Sequence, residues 1–130
     1  MSSWLDYLVS ALAVAAVVPG NPASDPRCPR HARPLPPDAV AQSRALALRE
    51  VRRLRGREQA RGARVVAAAP ATRAPRGGPV RHDCGGKVQR RTVVVDLVLP
   101  ALLPSASLSQ TTFAISITRR GRYRVWELLH

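Results

Sequence analysis

Large aromatic side chains are scarce in this chain: its 130 residues include two tryptophans, two tyrosines and one phenylalanine. Such side chains dominate the energetics of protein cores. Much of the remaining apolar content is alanine and valine, which bury little area each. We therefore expect a small, partly disordered protein, without a well-filled core along its whole length.

Acidic and histidine side chains are also few, with eight of the former and three of the latter. Asp83 and Asp96 are the only acids between Glu58 and Glu127, which argues against a pair of carboxylates for general acid–base catalysis. The serines have no GxSxG setting of the kind that some hydrolases use. The sequence thus predicts no enzymatic activity, no cofactor and no small-molecule substrate.

Positive charge is abundant instead. The formal net charge is +13, and a single lysine accompanies 20 arginines. Arginine grips phosphates and carboxylates at two points, and the charge favours nucleic acid, anionic lipid or sulfated glycans such as heparan sulfate, in a salt-sensitive way. A GC-rich coding sequence would also raise the arginine content, so a GC-rich reading frame without selected function is an alternative interpretation.

An apolar run, residues 8–18, lies near the N-terminus. It is shorter than the roughly 20 residues that a membrane-spanning helix needs, and the Pro-Gly pair that follows ends it as in a signal peptide. We interpret residues 1–23 as a signal peptide-like segment and predict secretion after cleavage between Ala15 and Ser24. An uncleaved membrane anchor, with the basic part of the chain in the cytoplasm, and an ordinary buried helix are the alternatives.

Residues 24–64 are interpreted as a proline-rich lead-in followed by a basic amphipathic helix. Six prolines within residues 21–37 exclude a regular helix or a central strand there. From Asp38 to about Arg64 the spacing predicts a helix, which we expect to be regular up to Arg55 because glycines beyond that point weaken it. Its apolar face comprises Val40, Ala47, Leu48, Val51 and Leu54.

The opposite side of this helix is basic. The residues that we predict to bind polyanions are Arg49, Arg52, Arg53, Arg57 and Arg61. No aromatic residue interleaves with them, so stacking on bases is not expected and nucleic acid would be bound without sequence preference. A solvated helix face and a helix lying on an anionic membrane are the other interpretations of this pattern.

Residues 65–91 have the proline, glycine, alanine and arginine content of a flexible linker and show no periodicity. We therefore expect disorder in this span.

Residues 92–130 are interpreted as a β region. Thr92–Leu99 is rich in β-branched residues and has the length of a strand, and Thr111–Thr118 alternates between apolar and polar side chains. A turn at Gly121 predicts a hairpin, whose register pairs Ile115 with Trp126 and Phe113 with Leu128. The predicted fold class is thus one amphipathic α-helix plus a C-terminal β-hairpin, or a three-stranded meander if the first strand joins it.

Cys28 and Cys84 are the only cysteines. In a secreted chain the simple interpretation is a disulfide between them, which would stabilise the fold by about 4 kcal/mol in the chain-entropy model. In a cytosolic chain they would be free thiols. A zinc site formed with His31 and His82 has a suitable donor set, but both halves lie in sequence predicted to be flexible, so no metal is expected.

Several residues of the lead-in and helix follow one another in a recognisable order, namely Cys28, His31, Arg33, Leu35, Pro37, Val40, Arg44, Ala45 and Leu46. This order resembles the N-terminal segment of the type III (lambda) interferons, in which a cysteine precedes a Leu-x-Pro entry into helix A. The resemblance implies a truncated α-helical cytokine bundle that binds a cell-surface receptor. It also implies the receptor-contact residues Pro37, Val40, Arg44 and Leu48.

The leading functional hypothesis is therefore a secreted, cytokine-like receptor-binding protein resembling a truncated or variant type III interferon. The second hypothesis is a basic membrane-tethered or intracellular protein that binds nucleic acid or other polyanions without specificity. The third is the reading frame without selected function.

Overall fold

The computed structural model describes residues 27–103 and 109–129. The predicted signal peptide and its cleavage region lie outside the described residues. The described elements are, in chain order, α1 (Ala39–Gln59), β1 (Arg64–Pro70), α2 (Gly78–Cys84), α3 (Gly86–Arg90), β2 (Thr92–Val98), a 3-10 turn (Pro100–Leu102), β3 (Gln110–Ile117) and β4 (Tyr123–Leu129). The four strands form one antiparallel sheet in the order β1-β2-β3-β4.

Helix α1 is the predicted amphipathic helix, and it packs on one face of the sheet. Leu54, which we expected on its apolar face, is exposed instead. Its buried residues recur at every fourth position and are small or β-branched: Ala39, Ser43, Ala47 and Val51. Short side chains let the helix backbone approach the strands closely. Gly56 has φ 81° and ψ 165°, which breaks the helix directly after Arg55, as the glycine pattern predicts.

Strands β2 and β3 are buried on both faces, because helices cover the sheet on both sides. The face under α1 contributes Val93, Val95, Leu97, Phe113 and Ile115 to a first core cluster. Residues that alternate with these point to the other face, where a second cluster contains Ala71, Val80, Val94 and Ala114. Two apolar cores therefore stabilise the sheet. The scarcity of aromatic side chains did not prevent these cores from forming, contrary to our expectation.

The predicted fold class is wrong. The sheet has four strands, and the protein is mixed α and β rather than a helix plus a hairpin or a three-stranded meander. The alternative, a truncated helical bundle, is wrong as well, since α1 is the one long helix in the described part of the chain.

The error lies in residues 65–91, which we expected to be a linker. They contain most of β1 together with α2 and α3. The strand RVVAAAP is an edge strand, whose final residue Pro70 is opposite Val93 of β2, a position that tolerates the missing N–H. Helices α2 and α3 are only seven and five residues long, and such short helices depend on tertiary packing that local composition does not reveal.

The predicted hairpin is present, with Gly121 in the turn at φ 86°. Phe113 lies opposite Leu128, as predicted. Ile115 lies opposite Val125 rather than Trp126, because β4 has a bulge that inserts one residue at this point.

The proline-rich lead-in passes around one end of the sheet and connects its two faces. Cys28 is bonded to Cys84 of α2 on one face, and Leu35 packs against the α1 core on the other. Between them, the Arg33 N–H donates a hydrogen bond to the Ile117 carbonyl over 2.9 Å. Because prolines leave few backbone donors, these few contacts fix the course of the lead-in.

Candidate anion-binding surfaces

The solvent side of α1 carries the first basic surface, which we call the helix surface. Arg49, Arg52 and Arg53 are all exposed there. The Arg53 Nε donates to Glu50 Oε1 over 3.1 Å, so its charge is partly balanced. In the described part of the chain, neither Arg49 nor Arg52 lies within ion-pair distance of a carboxylate.

The other two residues of the predicted polyanion set are placed differently. Arg57 and Arg61 are exposed, but they follow the break at Gly56. The structure therefore groups three of the five predicted arginines on one regular helix face and sets the other two on the turn that leads to β1.

The predicted receptor-contact residues are divided between surface and core. Pro37 and Arg44 are exposed. Val40 and Leu48 are half-buried and pack against the α1 core. Their apolar side chains hold the helix on the sheet, which leaves Pro37 and Arg44 as the exposed members of that set.

A cleft of about 500 Å³ lies between the start of the lead-in and the β3–β4 hairpin. Residues 27–32 form one wall, and the other contains Ser116–Arg119, Arg124 and Trp126. Ser116 and Trp126 interact on the sheet face that α1 does not cover. The cleft is therefore separate from the helix surface.

The cleft is basic. Arg27 forms an ion pair with Glu127 over 2.8 Å. Arg30, Arg119 and Arg124 also line the cleft and are exposed. No carboxylate among residues 27–103 and 109–129 lies within ion-pair distance of these three guanidinium groups.

More positive charge surrounds the cleft at the hairpin turn. Arg120 and Arg122 are exposed on the turn itself. The Arg33 guanidinium lies against Gly121, where a Cβ atom would come within 2.9 Å of its Nη1. A residue with a side chain at position 121 would therefore be strained by the positive φ and would also clash with the Arg33 guanidinium.

Trp126 is the aromatic side chain of the cleft, and a chain of hydrogen bonds fixes its ring. The Trp126 Nε1–H donates to Ser116 Oγ over 3.0 Å. Ser116 Oγ is 3.0 Å from Thr92 Oγ1, and the Thr92 hydroxyl donates to the Val88 carbonyl over 2.7 Å. Because Thr92 uses its only proton in this last bond, the Ser116 hydroxyl is the donor to Thr92.

The predicted disulfide between Cys28 and Cys84 is present, with Cα atoms 5.5 Å apart. It ties the lead-in wall of the cleft to α2. The zinc alternative loses both of its sulfur ligands, since a metal needs the thiolate form. The described residues contain no group of three or more His, Cys, Asp or Glu placed to hold a metal ion.

Sequence reasoning missed the cleft. It treated the run TRRGRYR, residues 118–124, only as a turn and a strand. The one local indication of a site was the alternating pattern of side chains in which this basic run is followed by Trp126. The wall formed by residues 27–32 is distant in sequence, and the cysteine pairing alone indicated that this segment returns to the sheet.

Comparisons of the chain with protein-family models, with curated proteins and with solved structures found no match. None of the helices in the described ranges is both long enough and apolar enough to cross a membrane.

Proposed function

We propose that this chain is a small exported protein that binds polyanions through exposed arginines. One observation carries the proposal: α1 uses its apolar side to dock on the sheet, which leaves Arg49 and Arg52 exposed on the other side. A formal net charge of +13 adds a long-range attraction for any polyanion.

The helix surface is convex and has no pocket-like shape of its own, and this determines the class of ligand that it can bind. Exposed guanidinium groups on a convex helix recognise phosphates or sulfates as charges, without reading a sequence. Heparan sulfate and nucleic acid both satisfy this requirement. Binding releases condensed counterions, so the affinity falls steeply as salt is added.

Receptor binding of a cytokine kind stays a prediction. In the fold described above, Pro37 and Arg44 are the exposed members of its contact set, and the large apolar members Val40 and Leu48 are half-buried against the α1 core. Protein interfaces usually depend on a few buried anchors. Polyanion binding needs no such anchor, which is why we favour it.

Export is supported by the disulfide, since such bonds persist in oxidising compartments. We expect expression in a secretory cell to release protein whose N-terminus lies between Ala15 and Ser24, because the apolar run ends just there. N-terminal sequencing of the released protein checks this. Protein that starts at Met1 and is recovered only from inside the cell would contradict export.

The charge-removal variant R49Q/R52Q/R53Q/R57Q tests the helix surface together with Arg57, which lies just beyond the break at Gly56. Each phosphate contact contributes about 0.9 to the slope of log affinity against log salt on double-stranded DNA. If all four arginines contact phosphates, we expect the slope to become shallower by about 3.6, with helicity nearly unchanged because glutamine is a fair helix former. Titrations of DNA and of heparin at several salt concentrations measure the slope.

The matched control removes four exposed arginines from other elements, as R64Q/R73Q/R81Q/R90Q. It changes the net charge by the same amount, so its effect should be clearly smaller. Equal slopes for the two variants would mean that the charge acts diffusely from the whole chain, and the helix surface would not be a binding site.

A further inference from the structure

We propose that the cleft between residues 27–32 and the β3–β4 hairpin binds a nucleotide unit. Its phosphate would lie against Arg30, Arg119 and Arg124, and its base against Trp126. This inference rests on the proposed attraction for polyanions and adds a ligand class and a site to it.

The size of the cleft suits such a ligand. Pockets for small molecules and cofactors span about 300–1,000 Å³, and this cleft has about 500 Å³. It is open on one side, so a nucleotide within a single strand could enter with its neighbours outside.

The charge of the cleft suits a phosphate. Glu127 balances Arg27, whereas Arg30, Arg119 and Arg124 have no carboxylate partner in the described ranges. Arginine side chains from two separate walls converge on one space. A phosphate placed there would receive charge-assisted hydrogen bonds from a planar donor on each side.

Trp126 is the reason to expect a nucleotide, rather than a polyanion without bases, as the ligand of the cleft. Its Nε1–H is already bound to Ser116, and the half-buried ring also packs against the second core cluster, so the ring is held in place and a ligand would meet the part of it that lines the cleft. Single-strand binders combine a basic groove with an aromatic ring on which a base stacks. The arginines of α1 have no such ring among them, so base recognition is expected in the cleft and not on α1.

The disulfide supports one wall of this site. Cys28 lines the cleft and is bonded to Cys84 in α2. Its reduction would free the start of the lead-in, which carries Arg30. Nucleotide binding in the cleft should therefore depend on the oxidised state, while heparin binding on the helix surface should not.

The experiment uses the full chain with W4F, so that Trp126 is the single tryptophan. It is titrated with a short oligothymidylate, with an abasic oligomer of the same length and with heparin. We expect oligothymidylate to quench the fluorescence of Trp126 and to bind about 10-fold more tightly than the abasic oligomer. Stacking of one base on an aromatic ring increases the affinity by about this factor. A titration with thymidine monophosphate shows whether the cleft binds a free nucleotide or only a nucleotide within a single strand.

Two double variants assign the effect to a surface. R119Q/R124Q should weaken oligothymidylate binding by about 10-fold and abolish the preference over the abasic oligomer, with little change for heparin. R49Q/R52Q removes the same charge from α1 and should weaken the binding of heparin, oligothymidylate and the abasic oligomer alike, while the preference for oligothymidylate over the abasic oligomer stays unchanged. A thermal melt of each variant confirms that it is folded.

The proposal is overturned if the abasic oligomer binds as tightly as oligothymidylate, or if heparin quenches Trp126 as strongly as oligothymidylate does. It is also overturned if R119Q/R124Q leaves the preference unchanged. Each of these results can occur while the helix surface keeps its salt-dependent binding, so the failure of the cleft is distinguishable from the failure of the proposed function.

Discussion

Replacing both Cys28 and Cys84 by serine is expected to lower the free energy of unfolding by about 4 kcal/mol. The bond closes a loop between cysteines 56 residues apart, and opening it returns that loop's conformational entropy to the unfolded chain. The lead-in is also held by the Arg27–Glu127 ion pair, by the Arg33–Ile117 backbone bond and by a bond from Arg91 Nη1 to the Ala32 carbonyl.

Urea denaturation of the oxidised protein and of the double serine variant measures this loss. The reduced wild-type protein should resemble the variant, and the variant should not respond to reductant. A difference below about 1 kcal/mol would mean that the lead-in contributes little to the folded state, contrary to its position across the end of the sheet.

The variant A47E is expected to destabilise the fold by about 3–5 kcal/mol, because it places an unpaired charge between α1 and the sheet. Ala47 is fully buried in the first core cluster. The control A45E introduces the same residue two positions earlier, on the exposed side of the same helix. It should change the stability by less than about 0.5 kcal/mol.

Thermal melts followed by circular dichroism compare the two variants. Similar melting temperatures would show that α1 does not dock on the sheet through the face described here. A wild-type protein without any cooperative transition would instead favour the hypothesis of a reading frame without selected function.

Helix α1 was predictable because its apolar residues follow a helical period and its breaking residue is a glycine. The hairpin was predictable from the alternation in β3 and from Gly121, but the bulge at Trp126 was not, since one inserted residue leaves the strand pattern almost unchanged. The arginines of α1 were likewise visible as one side of an amphipathic helix.

Strand β1 and helices α2 and α3 were not predictable, because their order comes from distant partners. Alanine-rich β1 becomes a strand by pairing with β2, and α2 is held by Val80 in the second core and by the disulfide. Judged by composition alone, such a span is predicted to be a flexible linker. The cleft was missed for the same reason, since its two walls are far apart in the sequence.

Amide chemical shifts during a titration with a heparin oligosaccharide test the central claim, that polyanions bind on discrete basic surfaces. We expect the largest shifts around Arg49 and Arg52 on α1, smaller ones at the cleft around Arg119 and Arg124, and little change around Arg64 and other exposed arginines elsewhere. Shifts of similar size at every exposed arginine, or none at low salt, would contradict it.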